Sequence, residues 1–559
     1  MTTRLQRPEA ESRSVPGVSS TMAGVGPLVR LALRRDRIVL PVWVAGFGLM
    51  MWAVVASVDG LYPTEQERVG AATFAAGSVV ARAFDGPAAG TSLGALALME
   101  SYVLLAVLIG LMCTFCVVRH TRHNEETGRA ELVGAAVVSR HAMLAAAMLV
   151  TLAAAVLAGT AVTLVLLGSG LPVTGSVLAG TGLAVVGAVF ATIAAVSAQV
   201  FESSRAANAA AGATVGLAFF LRAVGDAFGE VAASGTEVIS AWPSWLSPIG
   251  WAQQVRPFHL DAVAPLAIGV VFAVVLLVIA ITLSAHRDAG SGMRGVRPGP
   301  ARAAPGLLHP VGLAWRLQRG VVVGWLVGIV VLAASFAALG DEAGEFITTN
   351  EQLAEAFAAM AGGADLTDTF LGFMMALIGT VTGGFIVQAL LRLRVEEAAG
   401  HLEPLLATTV ARSRWLVGHG TIAVGGTVVI LLSAGLAAGL SYGLVSGDVP
   451  AAVATLTGAA LAQIPASLTL AGVVLVAFAV VPRWSAAVAW TVFVVCLLMG
   501  QIGALLDLPQ AVLNLSPYTH TPAIPAVELT WTPLVVLTSL ATGLLVSGAA
   551  WFRRRDLAL

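Results

Sequence analysis

Long apolar stretches recur twelve times along the 559 residues, at roughly 38–58, 96–118, 142–168, 176–200, 207–225, 263–284, 320–340, 369–391, 415–442, 451–481, 486–506 and 532–552. About 20 apolar residues cross a bilayer as a helix, and in hydrocarbon only helices or closed barrels satisfy every backbone polar group. The expectation is an all-α polytopic membrane protein with twelve transmembrane helices. With 58% hydrophobic and 11% charged residues, the chain has too little polar surface to cover a soluble core of its size. The tenth stretch is over-long and contains Pro465, which removes a helical hydrogen bond and predicts a kink there.

Every one of the 30 basic residues is arginine. A phosphate-binding G-x4-G-K-[ST] loop needs its lysine to reach the phosphates, so the chain cannot carry a standard loop of that kind. With both termini in the cytoplasm, all but four arginines fall on the inner side; Arg68, Arg82, Arg222 and Arg256 are the exceptions. The first 37 residues lack the apolar core of a cleaved signal. Cys113, Cys116 and Cys496 lie inside apolar runs, which predicts packing roles rather than a disulfide framework or a zinc site.

The stretch between the second and third apolar runs repeats between the eighth and ninth. The pattern R-x2-E-x2-G-x2-E-x8-R reads Arg122, Glu125, Gly128, Glu131, Arg140 and, 272 positions later, Arg394, Glu397, Gly400, Glu403, Arg412. Other echoes keep the same order. Leu31, Ala32, Arg34 and Arg37 precede the first run as Leu313, Ala314, Arg316 and Arg319 precede the seventh, suggesting an amphipathic interfacial helix at each entry. Glu65-Gln66 and Glu351-Gln352 follow the first and seventh runs, and Leu246-Ser247-Pro248 and Leu515-Ser516-Pro517 precede the sixth and twelfth. The chain therefore reads as a 6+6 duplication: a disordered tail over 1–26, a first half over 27–284, a Gly/Pro/Arg-rich linker over 285–305 and a second half over 306–559. Glycines and alanines crowd the apolar runs, where small residues let helices approach closely.

Each repeated loop has the makings of a docking knob. Gly128 can end a helical turn, and Glu131 to Arg140 can form a short helix with its acid at the positive end and its arginine at the negative end. Leu132, Ala135 and Ala136 give the first knob an apolar face; Leu405, Leu406 and Val410 supply the second, where Pro404 is tolerable in the first turn.

The arrangement E-x2-G-x2-E, then an apolar run and a terminal arginine, resembles the loop of type-2 ABC exporter permeases, typically R-E-R-G-T-x-E-x-L-L-x-T-P-[VI]-S-R. Val138-Ser139-Arg140 and Leu405-Leu406-Ala407-Thr408 match it, and the L-S-P triplets look like those preceding the last span in that superfamily. The duplicated form, from about residue 27 onward, is similar to actinobacterial exporters of polyketide antibiotics, the tetronasin-resistance-like permeases. Two departures are Arg129 and His401 at the usual threonine, and Val137 and Thr409 at the usual proline. The resemblance implies a multi-pass permease of the bacterial plasma membrane, itself without catalysis or cofactor. The two loops are then coupling helices seated in two copies of a cytoplasmic ATPase subunit that supplies ATP and Mg chemistry. The further partners it implies are membrane lipid and a hydrophobic small molecule, and no nucleic acid.

In such permeases the second and fifth spans of each half face the pathway. That singles out Met99, Phe115, Phe219, Phe220, Met374, Met375, Met499 and Gln501, side chains that suit a bulky apolar ligand and suit core packing equally well. Glu100, Arg222 and Asp226 lie near span ends, where water or headgroups can reach them. The alternative is a proton-coupled drug transporter of the major facilitator type, also 6+6 with a Gly/Arg loop. The long outer loops, the paired L-S-P and the lack of acids at the bilayer centre count against it. A membrane-embedded enzyme needs paired acids or a His/Asp site, whereas His120, His123, His141 and His401 flank the loops in no such arrangement.

Overall fold

A computed structural model describes residues 23–287, 290–293, 299–341, 344, 365–502 and 509–556, with side chains at 501 and 502 excepted. Among the described residues eleven helices are long and apolar enough to cross a membrane, and a shorter apolar helix covers Ser485–Gly500. That shorter helix is the expected eleventh span; positions 503–506 of that span lie outside the described residues, as do Glu351 and Gln352. The chain is an all-α polytopic membrane protein, and it divides into two compact units, Met1–Pro298 and Gly299–Leu559.

The first unit starts with an amphipathic entry helix, Val25–Arg35, so helix already occupies the end of the stretch expected to be tail. The chain turns at Asp36 and continues into six spans: Val39–Leu61, Leu93–His120, Ala142–Gly168, Val173–Val200, Ser204–Ala227 and Ala264–Ala285. Ser92 and Ser203 cap the second and fifth spans, each accepting from a backbone N–H that has no partner within the helix. The second and fourth spans are the inner ones, with 72% and 61% of their apolar windows buried, against 22% for the first and sixth. The third and fourth spans meet backbone to backbone: a Cβ on Gly159 would lie 2.3 Å from the Gly180 carbonyl oxygen, so only glycine permits this approach.

Opposite the repeated loop, the first unit carries a polar layer. Thr64 and Glu67 form a capping box on the helix Glu65–Gly77, and the strands Glu230–Val231 and Val238–Ile239 pair as an antiparallel hairpin. Ser247 of the first L-S-P caps the helix Pro248–Gln253 and donates to the Ala218 carbonyl at 2.7 Å. Under this layer Arg222 and Asp226 are both 0% exposed and pair at 3.3 Å. The expectation that they reach water or headgroups is thus overturned, because the segments on either side of the fifth span fold over its end. Glu100 remains exposed on its helix. Each of the four exceptional arginines donates to a main-chain carbonyl of this layer: Arg68 to Tyr62 and Pro63, Arg82 to Gly229, Arg222 to Ala83 and Phe84, Arg256 to Val238.

The second unit has the spans Pro310–Ala338, Leu366–Ala398, Arg412–Ser446, Val449–Val480 in two pieces, Ser485–Ile502 and Trp531–Arg554. Its entry segment is no separate helix. Leu313, Ala314, Arg316 and Arg319 belong to one 29-residue helix with the seventh span, since nothing there interrupts the backbone ladder as Asp36 does in the first unit. The tenth span stops at Leu461 and restarts at Ile464, with Pro465 in the first turn of the new helix, where its missing N–H costs nothing. Gly435, Gly439 and Gly443 of the ninth span face the main chain of the tenth, repeating the close packing of the third and fourth. Ser516 of the second L-S-P caps the short helix Pro517–His520 as Ser247 caps its counterpart.

Candidate functional site: the repeated loops

In each loop the glycine makes the corner. Gly128 has φ 71° and Gly400 φ 72°, the left-handed region that a side chain disfavours. Neither glycine has a heavy atom within 4 Å of where a Cβ would sit, so dihedral angle and not crowding requires it. After the corner come the knob helices Arg129–Gly134 and Leu402–Leu406, with Glu131 and Glu403 in their first turns as expected.

The remaining repeated residues form a clamp that the spacing alone does not reveal. In the first loop, buried Arg122 pairs with Glu125 and donates to the Phe201 carbonyl at 2.6 Å and to the Ser291 carbonyl at 2.8 Å. Glu125 also accepts two bonds from Arg287, one of them at 2.7 Å; this arginine stands two residues past the sixth span. Arg140 then donates to the backbone carbonyl of that same Arg287 at 2.6 Å, and to Ser284 at 3.2 Å. Arg287 further donates to Gln199, at the end of the fourth span, at 2.6 Å.

The second loop repeats this with Arg555, the residue that ends the twelfth span. Glu397 pairs with the Arg555 guanidinium, and Arg412 donates to the Arg555 carbonyl at 2.7 Å. Arg394 sits 3.7 Å from Glu397. Arg555 reaches the tenth span as Arg287 reaches the fourth, donating to Phe478 at 2.8 Å, and its guanidinium lies over the rings of Phe478 and Phe552. In both units the first glutamate and the last arginine of the pattern grip one arginine at the exit of the unit's last helix. Charge-assisted bonds are the strong ones, and several of them together fix the loop to that exit.

Two expectations change. Arg140 and Arg412 do not close the knob helices: Arg140 lies in the turns after Gly134, and Arg412 is the first residue of the ninth span, because both are drawn to the exit carbonyl. The apolar faces also differ. Leu132 is 79% exposed and Val137 92%, whereas Leu402 is buried and Leu405, Leu406 and Val410 pack against the second unit's own core. What each loop presents outward is therefore its knob acid, Glu131 or Glu403, joined in the first loop by an apolar face.

Arg287 and Arg555 were missed in the sequence, although an arginine does follow the last span of each half. Also missed was a carboxylate for His120. Its Nε2 lies 2.6 Å from Asp36, and Cys116 completes a buried group whose ligand atoms lie within 4.8 Å of one another. Arg119, 3.0 Å from Asp36, already supplies the positive charge that a cation would bring. His123, His141 and His401 are loop neighbours, the last 3.1 Å from Glu396.

The candidate pathway residues differ in their surroundings. Met375 and Met499 are buried, Met99 packs on Ala76, Ala88 and Val238, and Phe219 meets Phe84 edge-on beneath Arg222. Phe115 and Phe220 are exposed on their spans, Met374 is half-buried, and the Gln501 side chain lies outside the described residues.

A family model described as the C-terminal domain of the multidrug efflux system permease Rv1217c matches residues 307–553, nearly the whole second unit. The multidrug efflux system permease protein Rv1217c of Mycobacterium tuberculosis is 38% identical over 559 residues, covering 99% of each chain. With that identity over 99% of both chains, the chain belongs to the Rv1217c family of efflux system permeases.

Proposed function

We propose that this chain is the membrane subunit of an ATP-driven ABC exporter that moves hydrophobic or amphipathic compounds outward, polyketide antibiotics among them. Each repeated loop docks on one of two copies of a cytoplasmic ATPase subunit, which binds ATP and Mg. The chain itself catalyses nothing; it is a gate. The observation that carries this reading is the doubled clamp, which ties a knob presenting an acid to the exit of the last helix in each unit. A loop so fixed passes a push from a partner into the membrane helices, whereas a loop that only stayed wet needs no such bonds. Coupling requires contacts that differ between two states, and a knob held rigidly at its base and presented at its tip meets that requirement.

On this reading both termini and both loops are cytoplasmic, and the bacterial plasma membrane is the site of action. The names of the relative and the family model, which describe multidrug efflux, support the cargo class and direction. The test reconstitutes the chain with its ATPase. Glu131→Arg together with Glu403→Arg should leave the permease inserted and abolish stimulation of ATP hydrolysis by cargo. Undiminished stimulation would refute docking, and transport driven by a proton gradient without any second subunit would refute the exporter.

A further inference from the structure

The first unit has a cavity of about 500 Å³ beside the repeated loop, between the entry helix, the knob helix and the start of the third span. Its lining combines Arg34, Arg35 and Arg129 with the apolar Leu28, Leu31 and Met143, and no carboxylate is among the lining residues. The nearest acid, Asp36, is committed to His120 and Arg119. Among the described residues, Arg35 bonds the neutral side-chain oxygen of Asn124, at 2.9 Å. Burial, followed by the charges of Arg119 and Arg129, lowers the Arg35 pKa, and Asp36 offsets this only in part.

The second copy shows what is missing. At the 272-residue offset Asn124 becomes Glu396, a buried carboxylate paired with Arg392 and with His401, the counterpart of Arg129. Met143 becomes Trp415 and Ala147 becomes His419, both buried side chains that fill the corresponding space. The second unit thus carries its own anion and its own filling, and the first has neither.

We propose that this cavity is a site for an anionic phospholipid, with the phosphate diester held by Arg34, Arg35 and Arg129 and the acyl chains running along Leu28, Leu31 and Met143. The depth is right. The first and third spans begin at Val39 and Ala142, so the cavity lies where headgroups meet the apolar layer, and basic pockets between helices at that level recognise anionic headgroups. Because Arg129 opens the knob helix, bound lipid braces the first coupling loop and leaves the second untouched. The binding does not depend on which partner the loop docks.

The test is native mass spectrometry of the delipidated full chain, titrated with dioleoyl phosphatidylglycerol, dioleoyl phosphatidylcholine or inorganic phosphate. The expected result is at least tenfold tighter binding of phosphatidylglycerol than of phosphatidylcholine, with Asn124→Glu and Met143→Trp each removing the preference. Equal affinity for the two lipids, or a preference unchanged in both variants, would overturn the site. Displacement of the lipid by equimolar inorganic phosphate would overturn the lipid as occupant, leaving an adventitious ion only. Thermal melting checks that the variants fold; should both fail, Arg129→Gln at an exposed position decides, with loss of preference supporting the site and retention refuting it.

Discussion

The two repeated loops share a spacing, a corner and a clamp, yet they differ in what they bury. The first holds its glutamate between two arginines, Arg122 and Arg287, and turns Leu132 and Val137 outward. The second holds Glu397 between Arg555 and a more accessible, more distant Arg394, and packs Leu405 and Leu406 into its own unit. Duplication preserved the attachment to the exit of the last helix and let the outward surface diverge. The attachment is therefore what the two copies share, and on the proposed reading the surface is where the two docking events can be told apart.

The largest expected difference comes from neutralising the clamp acids. Glu125→Gln removes the carboxylate that Arg122 and Arg287 share, and breaking a buried pair costs about 3–5 kcal/mol. Glu397→Gln takes its carboxylate from Arg555 and from an Arg394 that is 29% exposed and 3.7 Å away, so its cost should be smaller. Thermal melting of the purified chain measures both, and equal losses would show that the clamps are equivalent after all. The apolar faces give the next effect. Leu405→Ser should lower stability by about 2 kcal/mol because it removes packed apolar area and buries a hydroxyl. Leu132→Ser should change melting hardly at all and weaken co-purification of the ATPase instead. A melting loss at Leu132 matching that at Leu405 would erase the contrast. The smallest effect belongs to the corners: Gly128→Ala and Gly400→Ala should each cost about 1 kcal/mol, since both glycines have φ near +70° and open space around them. Unequal costs would mean that the corners have diverged too.

The helices and the duplication were legible because hydropathy and spacing are local properties that survive in one dimension. Pro465 marked the break in the tenth span, and Gly128 and Gly400 marked the corners, for the same reason. The clamp was not legible. Arg140 bonds a carbonyl 147 residues downstream, and nothing in the sequence says that the exit of the sixth helix returns to the first repeated loop. Arg222 and Asp226 looked like charges at a wet helix end; only the folded layer over that end shows them sealed. The apolar residues of the second knob read the same whether they face outward or inward, since a five-residue helix has too few turns for its pattern to choose a side.

The way each unit begins has a mechanical consequence. Pro310–Ala338 is an unbroken rod roughly 43 Å long at 1.5 Å per residue, so its loop-side end and the span beyond it form one piece. The first unit breaks its helix at Asp36, between the short lever Val25–Arg35 and the span after it, and pins the break with Arg119 and His120. On the proposed reading, a symmetrical motor would meet a one-piece entry in one half of the gate and a two-piece, pinned entry in the other.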